Sequence, residues 1–160
     1  MTKSHFRLTA VKPLAGSSLR LTYADGEKLD VDLHSWIQTT QALEALKSAD
    51  IFKLATLAED GRSVEWMEGE LDLAADNLRH LATEQSGGIG HERIWNWLHE
   101  NGLTLEEGAA ALGISRRMLI YYRDGEKPIP RAIWLACLGW EATRPAPGTL
   151  PRALPANRLS

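Results

Sequence analysis

The sequence predicts two domains of different class: an α+β N-terminal domain, with an antiparallel sheet and one or two helices, followed by an all-α helix-turn-helix bundle. Three observations predict it. Apolar residues recur at every second position across residues 6–33, and at every third or fourth position from residue 92 onward. A Gly-rich break, EQSGGIGHE at 84–92, separates the two periods. Asp-Gly pairs at Asp25-Gly26 and Asp60-Gly61 fall between strand-like runs, where hairpin turns demand positive φ. The expected divisions are 1–84 for the α+β domain, 85–90 for a linker, 91–143 for the helical domain and 144–160 for a Pro-rich tail, extended or disordered.

Each element has its own signal. FRLTAVKPL (6–14) places Phe6, Leu8 and Ala10 on one face and ends near Pro13. SLRLTY (18–23) alternates through Leu19, Leu21 and Tyr23. EKLDVDL (27–33) returns with Leu29, Val31 and Leu33 inward and Lys28, Asp30 and Asp32 outward, as in a sheet wet on one side. Ala42 to Leu46 reads as a short helix, and FKLATLAEDGRSVEW as a second hairpin turning at Asp60-Gly61. DLAADNLRHLATE (72–84) reads as an amphipathic helix N-capped by Asp72. The first half therefore holds four or five strands.

Four helices are expected after the break. The first, ERIWNWLHENG (92–102), ends at a Gly. Thr104 and Glu107 form the S/T-x-x-E capping box of the second, which Gly113 ends. Ser115 caps the third, Asp124-Gly125 ends it, and RAIWLACLGWEA (131–142) is the fourth. Trp95 and Trp97 are two apart and cannot both enter one core, so one of them is free to meet the other domain or a second subunit.

Composition bounds the function. The 160 residues are 44% hydrophobic and 24% charged, with net charge −3. Residues 1–84 carry 9 basic and 14 acidic side chains, residues 85–143 carry 6 and 7, and residues 144–160 carry three arginines and no acid. A nucleic-acid-binding domain is usually more basic than the middle segment. The lone Cys137 excludes an intramolecular disulfide and a thiolate metal cage, and reads as a small apolar residue in a helix. There is no apolar run long enough for a transmembrane helix, and MTKSHFRLTAV lacks the apolar core of a signal peptide, so a cytoplasmic protein with no membrane association is expected.

No catalytic constellation stands out, so the chain is not expected to be an enzyme or to need a cofactor. Glu65, Glu68 and Glu70 lack a ligand partner at metal spacing and read as a solvated edge. The five histidines form no HxxxH or HxH pair and read as surface or capping residues.

The phrase LEEGAAALGISRRMLIYYRDG (105–125) carries the functional signal. Two helices can cross closely only if a small residue sits at their contact, and Ala109 stands there. The turn needs a residue without a Cβ, and Gly113 follows four positions later. Leu112, Ile114, Leu119 and Tyr122 supply the inner face. This pattern resembles the helix-turn-helix of the phage-repressor-like (lambda repressor-like) family over residues 91–143. The resemblance implies that the Leu105–Leu112 helix supports and the Ser115–Arg123 helix recognises. Ser115, Arg116 and Arg117 are then the first exposed residues of that helix, with Ile120 and Tyr121 one turn on. Such residues meet base edges, and arginine can donate two hydrogen bonds to guanine. Thr104 at a helix N-terminus, with Arg123 and Lys127 beyond the recognition helix, are candidates for phosphate contact. Glu106, Glu107, Asp124 and Glu126 nearby weigh against DNA.

The first half is similar to a bacterial family of small α+β domains of unknown function, over residues 6–83. The matching pieces are Asp32-Leu33, Ile51-Phe52, Val64 to Trp66, Gly69, Asp72-Leu73 and Asp76 to Leu78. Members of that family occur alone or fused to a repressor-like helix-turn-helix, and the resemblance implies no activity for this half. The resulting expectation is a DNA-binding transcriptional regulator, antitoxin-like in one version, with double-stranded DNA as partner and dimerisation through a second copy. The competing expectation is a non-enzymatic adaptor whose helical module contacts a protein partner instead.

Overall fold

A computed structural model of the chain describes residues 3–146. The chain divides between Gly88 and Ile89 into two compact units.

The first unit opens with a three-stranded antiparallel meander, β1 (Leu8–Leu14), β2 (Ser18–Tyr23) and β3 (Lys28–Asp32). Alternation buries Leu19, Leu21 and Tyr23 of β2. Its outward Arg20 makes a bidentate pair with Asp30 across the strands, at 2.9 and 3.1 Å. The face expected for β1 holds only at Leu8. Leu8 pairs with Tyr23 but Ala10 with Thr22, so Thr9 is an extra residue. That bulge flips the strand, leaving Ala10 exposed and turning Val11 toward the core. The strand continues through Pro13 to Leu14, tolerated because β1 is an edge. The Asp25-Gly26 hairpin has a three-residue loop. The Tyr23 N–H donates to the Glu27 carbonyl at 2.9 Å, and Gly26 adopts φ 94°.

A second three-stranded sheet follows, β4 (Thr56–Leu57), β5 (Ser63–Trp66) and β6 (Leu71–Ala74), with α1 (His34–Thr39), a 3-10 turn over Gln41–Lys47 and α2 (Ala49–Phe52) between the two sheets in sequence. Strand β6 overturns the expected helix start. Asp72 is not an N-cap: it lies in β6 opposite Glu65, and α3 (Ala75–Gln85) begins after Ala74 with no side-chain cap. Pairing with β5 takes the first three residues, Asp72 to Ala74, of an otherwise helical pattern. The six strands among the described residues exceed the four or five expected, because β6 is too short to show a period and reads as the start of the following helix.

Tertiary bonds then fasten this unit. The Tyr23 hydroxyl donates to the Ala75 carbonyl at 2.8 Å, and the Trp66 indole N–H to the Phe52 carbonyl at 3.0 Å. Gln85 at the end of α3 pairs with the backbone of Asp32, accepting at 2.8 Å and donating at 2.9 Å, as a further strand would. His5 is buried against Phe6, contrary to a surface role, and its carbonyl accepts from Arg79 at 2.7 Å. Leu19, Leu21, Val31, Leu33 and Leu78 are fully buried, each side chain stabilising the fold by about 2 kcal/mol.

Among the described residues the second unit holds four helices: α4 (Glu92–Glu100), α5 (Leu105–Leu112), α6 (Arg116–Arg123) and α7 (Arg131–Thr143). Trp97 is its central side chain. Its ring meets Trp140 edge-on at 5.7 Å, and its N–H donates to the Cys137 carbonyl at 3.1 Å. Burial pushes the Cys137 thiol up to about 12. Trp95, two residues away, is half exposed. His91 stands at the N-cap position of α4 and is buried. The Pro-rich tail reading falls almost wholly on residues 147–160, outside the described residues. Among the described residues no helix is long and apolar enough to cross a membrane.

Candidate nucleic-acid interface

The site is the α5–turn–α6 pair, and local chemistry builds both of its ends. Thr104 starts α5 through a complete capping box. Its hydroxyl accepts from the Glu107 N–H at 3.1 Å, while the Glu107 carboxylate accepts from the Thr104 N–H at 3.0 Å. Those bonds hold the Glu107 carboxyl below the usual carboxylate range, the backbone N–H of Thr104 contributing most. Gly113 closes α5 in the left-handed conformation, φ 70°. The Ile114 N–H then reaches back to the Ala109 carbonyl at 3.1 Å, and the Ser115 hydroxyl caps α6 by accepting from Met118 at 3.0 Å.

Tight packing in α5 falls on Gly108 as well as on Ala109. Ala109 is buried, but a Cβ on Gly108 would overlap Leu98, and would sit 3.1 Å from a Leu119 methyl. The run Gly108-Ala109-Ala110-Ala111 was the available signal; which of its members faces α6 depends on helix phase. Leu119 and Tyr122 are buried from the α6 side, and Leu112 and Ile114 pack partly buried against the same core.

On the outer side the structure sorts the candidate residues into three groups. Arg116, in the first turn of α6, pairs with Glu106 in the first turn of α5 at 2.7 Å. Arg117, Tyr121 and Lys127 cluster. The Arg117 Nε donates to the Tyr121 hydroxyl at 2.8 Å, and the Lys127 ammonium lies 4.7 Å from the Tyr121 ring centre. The loop after α6 places Lys127 there, because the N–H groups of Glu126 and Lys127 both donate to the Tyr121 carbonyl. Arg123 stands apart, half-buried, paired with Asp124 at 2.8 Å and lying over the Trp95 ring at 5.2 Å. Ile120 is partly buried, and the hydroxyls of Thr104 and Ser115 accept the capping bonds already described. The Arg116–Glu106 pair and the Tyr121 cluster were not legible from spacing alone.

Chemically, this surface offers Arg116 and Arg117 side by side in the first turn of α6, and the Tyr121 ring with Arg117 and Lys127 both close to it. Among the described residues, no three His, Cys, Asp or Glu side chains group so as to hold a metal ion.

Fold and surface together define the class: an α+β unit joined to a four-helix unit whose two short middle helices meet at a tight left-handed turn. Residues 8–84 match the family model described as a protein of unknown function, DUF2442. A crystal structure of a Nitrosomonas europaea ATCC 19718 protein, described as a candidate DNA-binding protein, is 47% identical. The similarity covers 97% of this chain and 99% of that one, with a TM-score of 0.86. Residues 8–84 therefore form a DUF2442 domain, and the chain as a whole has a relative of known structure in Nitrosomonas europaea. No curated protein matches it.

Proposed function

We propose that the chain is a non-enzymatic, cytoplasmic DNA-binding regulator of the repressor-like helix-turn-helix type, reading double-stranded DNA with α6. One observation carries this reading: Arg116 and Arg117 stand exposed in the first turn of a helix held against α5 by a left-handed turn at Gly113. That is where a recognition helix meets base edges. The candidate DNA-binding description of the Nitrosomonas europaea relative supports it. In this reading Arg117 is pre-oriented by Tyr121, Lys127 contacts phosphate, and the α5 N-terminus at Thr104 offers N–H groups to another phosphate. Arg123, engaged with Asp124 and Trp95, contributes less. One short helix reads few base pairs, so two copies would act on one operator. An antitoxin is one form such a regulator takes.

The test is DNA capture from a random duplex library, then affinity of the selected duplex for wild type and for Arg116→Ala and Arg117→Ala. Each bidentate base contact discriminates by about 1–3 kcal/mol, so the variants should lose roughly tenfold on the selected sequence and relax preference at one position. Equal binding and equal selectivity would remove α6 from the interface.

A second reading, an adaptor with a protein partner, is favoured by the exposed Leu135 and Leu138 on α7 and by the exposed Trp95. Salt separates the readings: phosphate-driven binding weakens steeply with salt, while an apolar contact barely responds.

A further inference from the structure

We infer that the outer face of α7 docks a second copy of this chain, the two α7 helices running antiparallel with Leu135 of each against Leu138 of the other. The inference goes beyond the α6 reading, to which it would supply the paired copies, and its test needs no DNA.

The first observation is what that face is made of. The inner side of α7 enters the core through Cys137 and Trp140, with Ile133 packed against them. Outward stand Arg131, Leu135, Leu138 and Ala142, all exposed. Spacings of four, three and four residues set them in one line along the helix. Leu135 is 53% exposed and Leu138 44%, and between Arg131 and Glu141 the helix has no charged side chain. A surface helix normally turns polar residues to water, and one that is apolar all round belongs in an interior.

The second is that the line complements itself. A twofold axis makes every contact reciprocal. Placed midway between Leu135 and Leu138, it sets Leu135 against Leu138 of the second copy, Arg131 against its Ala142, and Ala132 against its Gly139. Ala132 is exposed, and an added Cβ on Gly139 would meet nothing within 4 Å, so this flank is open to the close approach of another helix.

The third is charge, which selects both the partner and its direction. A cation at a helix N-terminus and an anion at its C-terminus each oppose the helix dipole. Helix α7 has both, since Arg131 opens it and Glu141 lies in its last turn. An antiparallel copy lays each Arg131 beside the other copy's C-terminal turn, next to Glu141. Only Oε2 of Glu141 accepts from Asn101, at 3.4 Å. A parallel copy would bring the two Arg131 side chains together, and an uncharged groove on another protein would leave both charges opposed to the dipole.

The contact is small. At 1.5 Å per residue the line from Arg131 to Ala142 is about 16 Å long. It covers less than the roughly 1,200 Å² of a standard interface, so Kd should be on the order of 10 to 100 μM.

The experiment is sedimentation equilibrium of the full chain without DNA, from about 5 to 500 μM, a range that brackets such a Kd. The mass should rise from one copy toward two. Leu135→Glu/Leu138→Glu should weaken pairing by at least about tenfold, since it would bury carboxylates. Gly139→Gln should weaken it too, while a better helix former with open space around it leaves the melting temperature of the single copy undiminished. Arg131→Glu should weaken pairing up to about fivefold, and Arg131→Glu/Glu141→Arg should restore most of the loss. A wild type that stays monomeric throughout overturns the proposal and leaves the face to the protein partner of the adaptor reading. A dimer that the leucine and glycine variants leave intact uses another face, which overturns it equally. Failure of the double charge reversal to recover pairing would overturn the antiparallel direction. A wild type that pairs as expected but binds no duplex would remove the α6 reading and leave this one standing.

Discussion

The Arg116 Nε lies 2.7 Å from the Glu106 Oε1, joining the first turns of α5 and α6 while both side chains remain mostly exposed, at 55% and 68%. A pair this exposed contributes at most about 1 kcal/mol. It nonetheless occupies the guanidinium that stands first on α6, and in the proposed DNA-binding reading it sets a carboxylate beside the phosphates.

Glu106→Gln should therefore tighten DNA binding, by up to about fivefold at constant salt, since no ion pair must break and a repulsion is lost. Thermal stability should change by less than about 1 kcal/mol. Anisotropy titrations with the selected duplex check this. Weaker binding would mean that Glu106 aims Arg116 instead of restraining it.

The capping box should show in a pH series. Thr104→Ala should cost about 1 kcal/mol of stability. The folded pKa of Glu107 is depressed, so its contribution is present above its unfolded value and disappears as pH falls through the folded one. Melting curves of wild type and Glu107→Gln should differ at neutral pH and converge in acid. A gap that persists in acid would assign the stabilisation to packing.

Two left-handed glycines should respond differently to a methyl group. Gly113 has φ 70° and nothing within 4 Å of an added Cβ, so Gly113→Ala should cost only the backbone strain, about 1–2 kcal/mol. Gly61 has φ 73°, and its Cβ would fall 2.6 Å from the Leu8 carbonyl oxygen. The Leu8 N–H donates to the Gly61 carbonyl at 2.7 Å, so the two backbones cannot part cheaply. Gly61→Ala should cost at least about 2 kcal/mol, read by urea denaturation.

Cys137 should be inert in the folded chain. It is fully buried, and burial raises its thiol to about 12, so almost no thiolate exists at pH 8. An aromatic disulfide reagent should titrate one thiol only after denaturant is added. Rapid reaction of the native protein would mean that α7 opens locally.

How legible each element was depended on whether its determinants were local. The caps at Thr104 and Ser115 and the left-handed turn at Gly113 involve residues at most five apart, and each was readable as a pattern. The inner face of β2 was equally plain, because burial on one side of a strand imposes a period of two. Strand β6 was hidden: LDLA carries no signal distinguishing it from the start of α3, and only pairing with β5 makes it a strand. Val11 was misplaced because a bulge is one extra residue opposite a partner strand, invisible in a single chain.

The amino-acid order alone determined the two periodicities, the position of the break, the helix caps and the acidic surplus of the first half, since all of these are set by neighbours along the backbone. Folding in three dimensions decided the rest. It packed Gly108 against Leu98 and Leu119, tied Arg116 to Glu106, and laid Arg123 over Trp95. The physical reason is that a charged side chain a few bonds long is captured by whichever partner the packing of helices brings within about 4 Å, and that distance is a property of the crossing, not of the spacing.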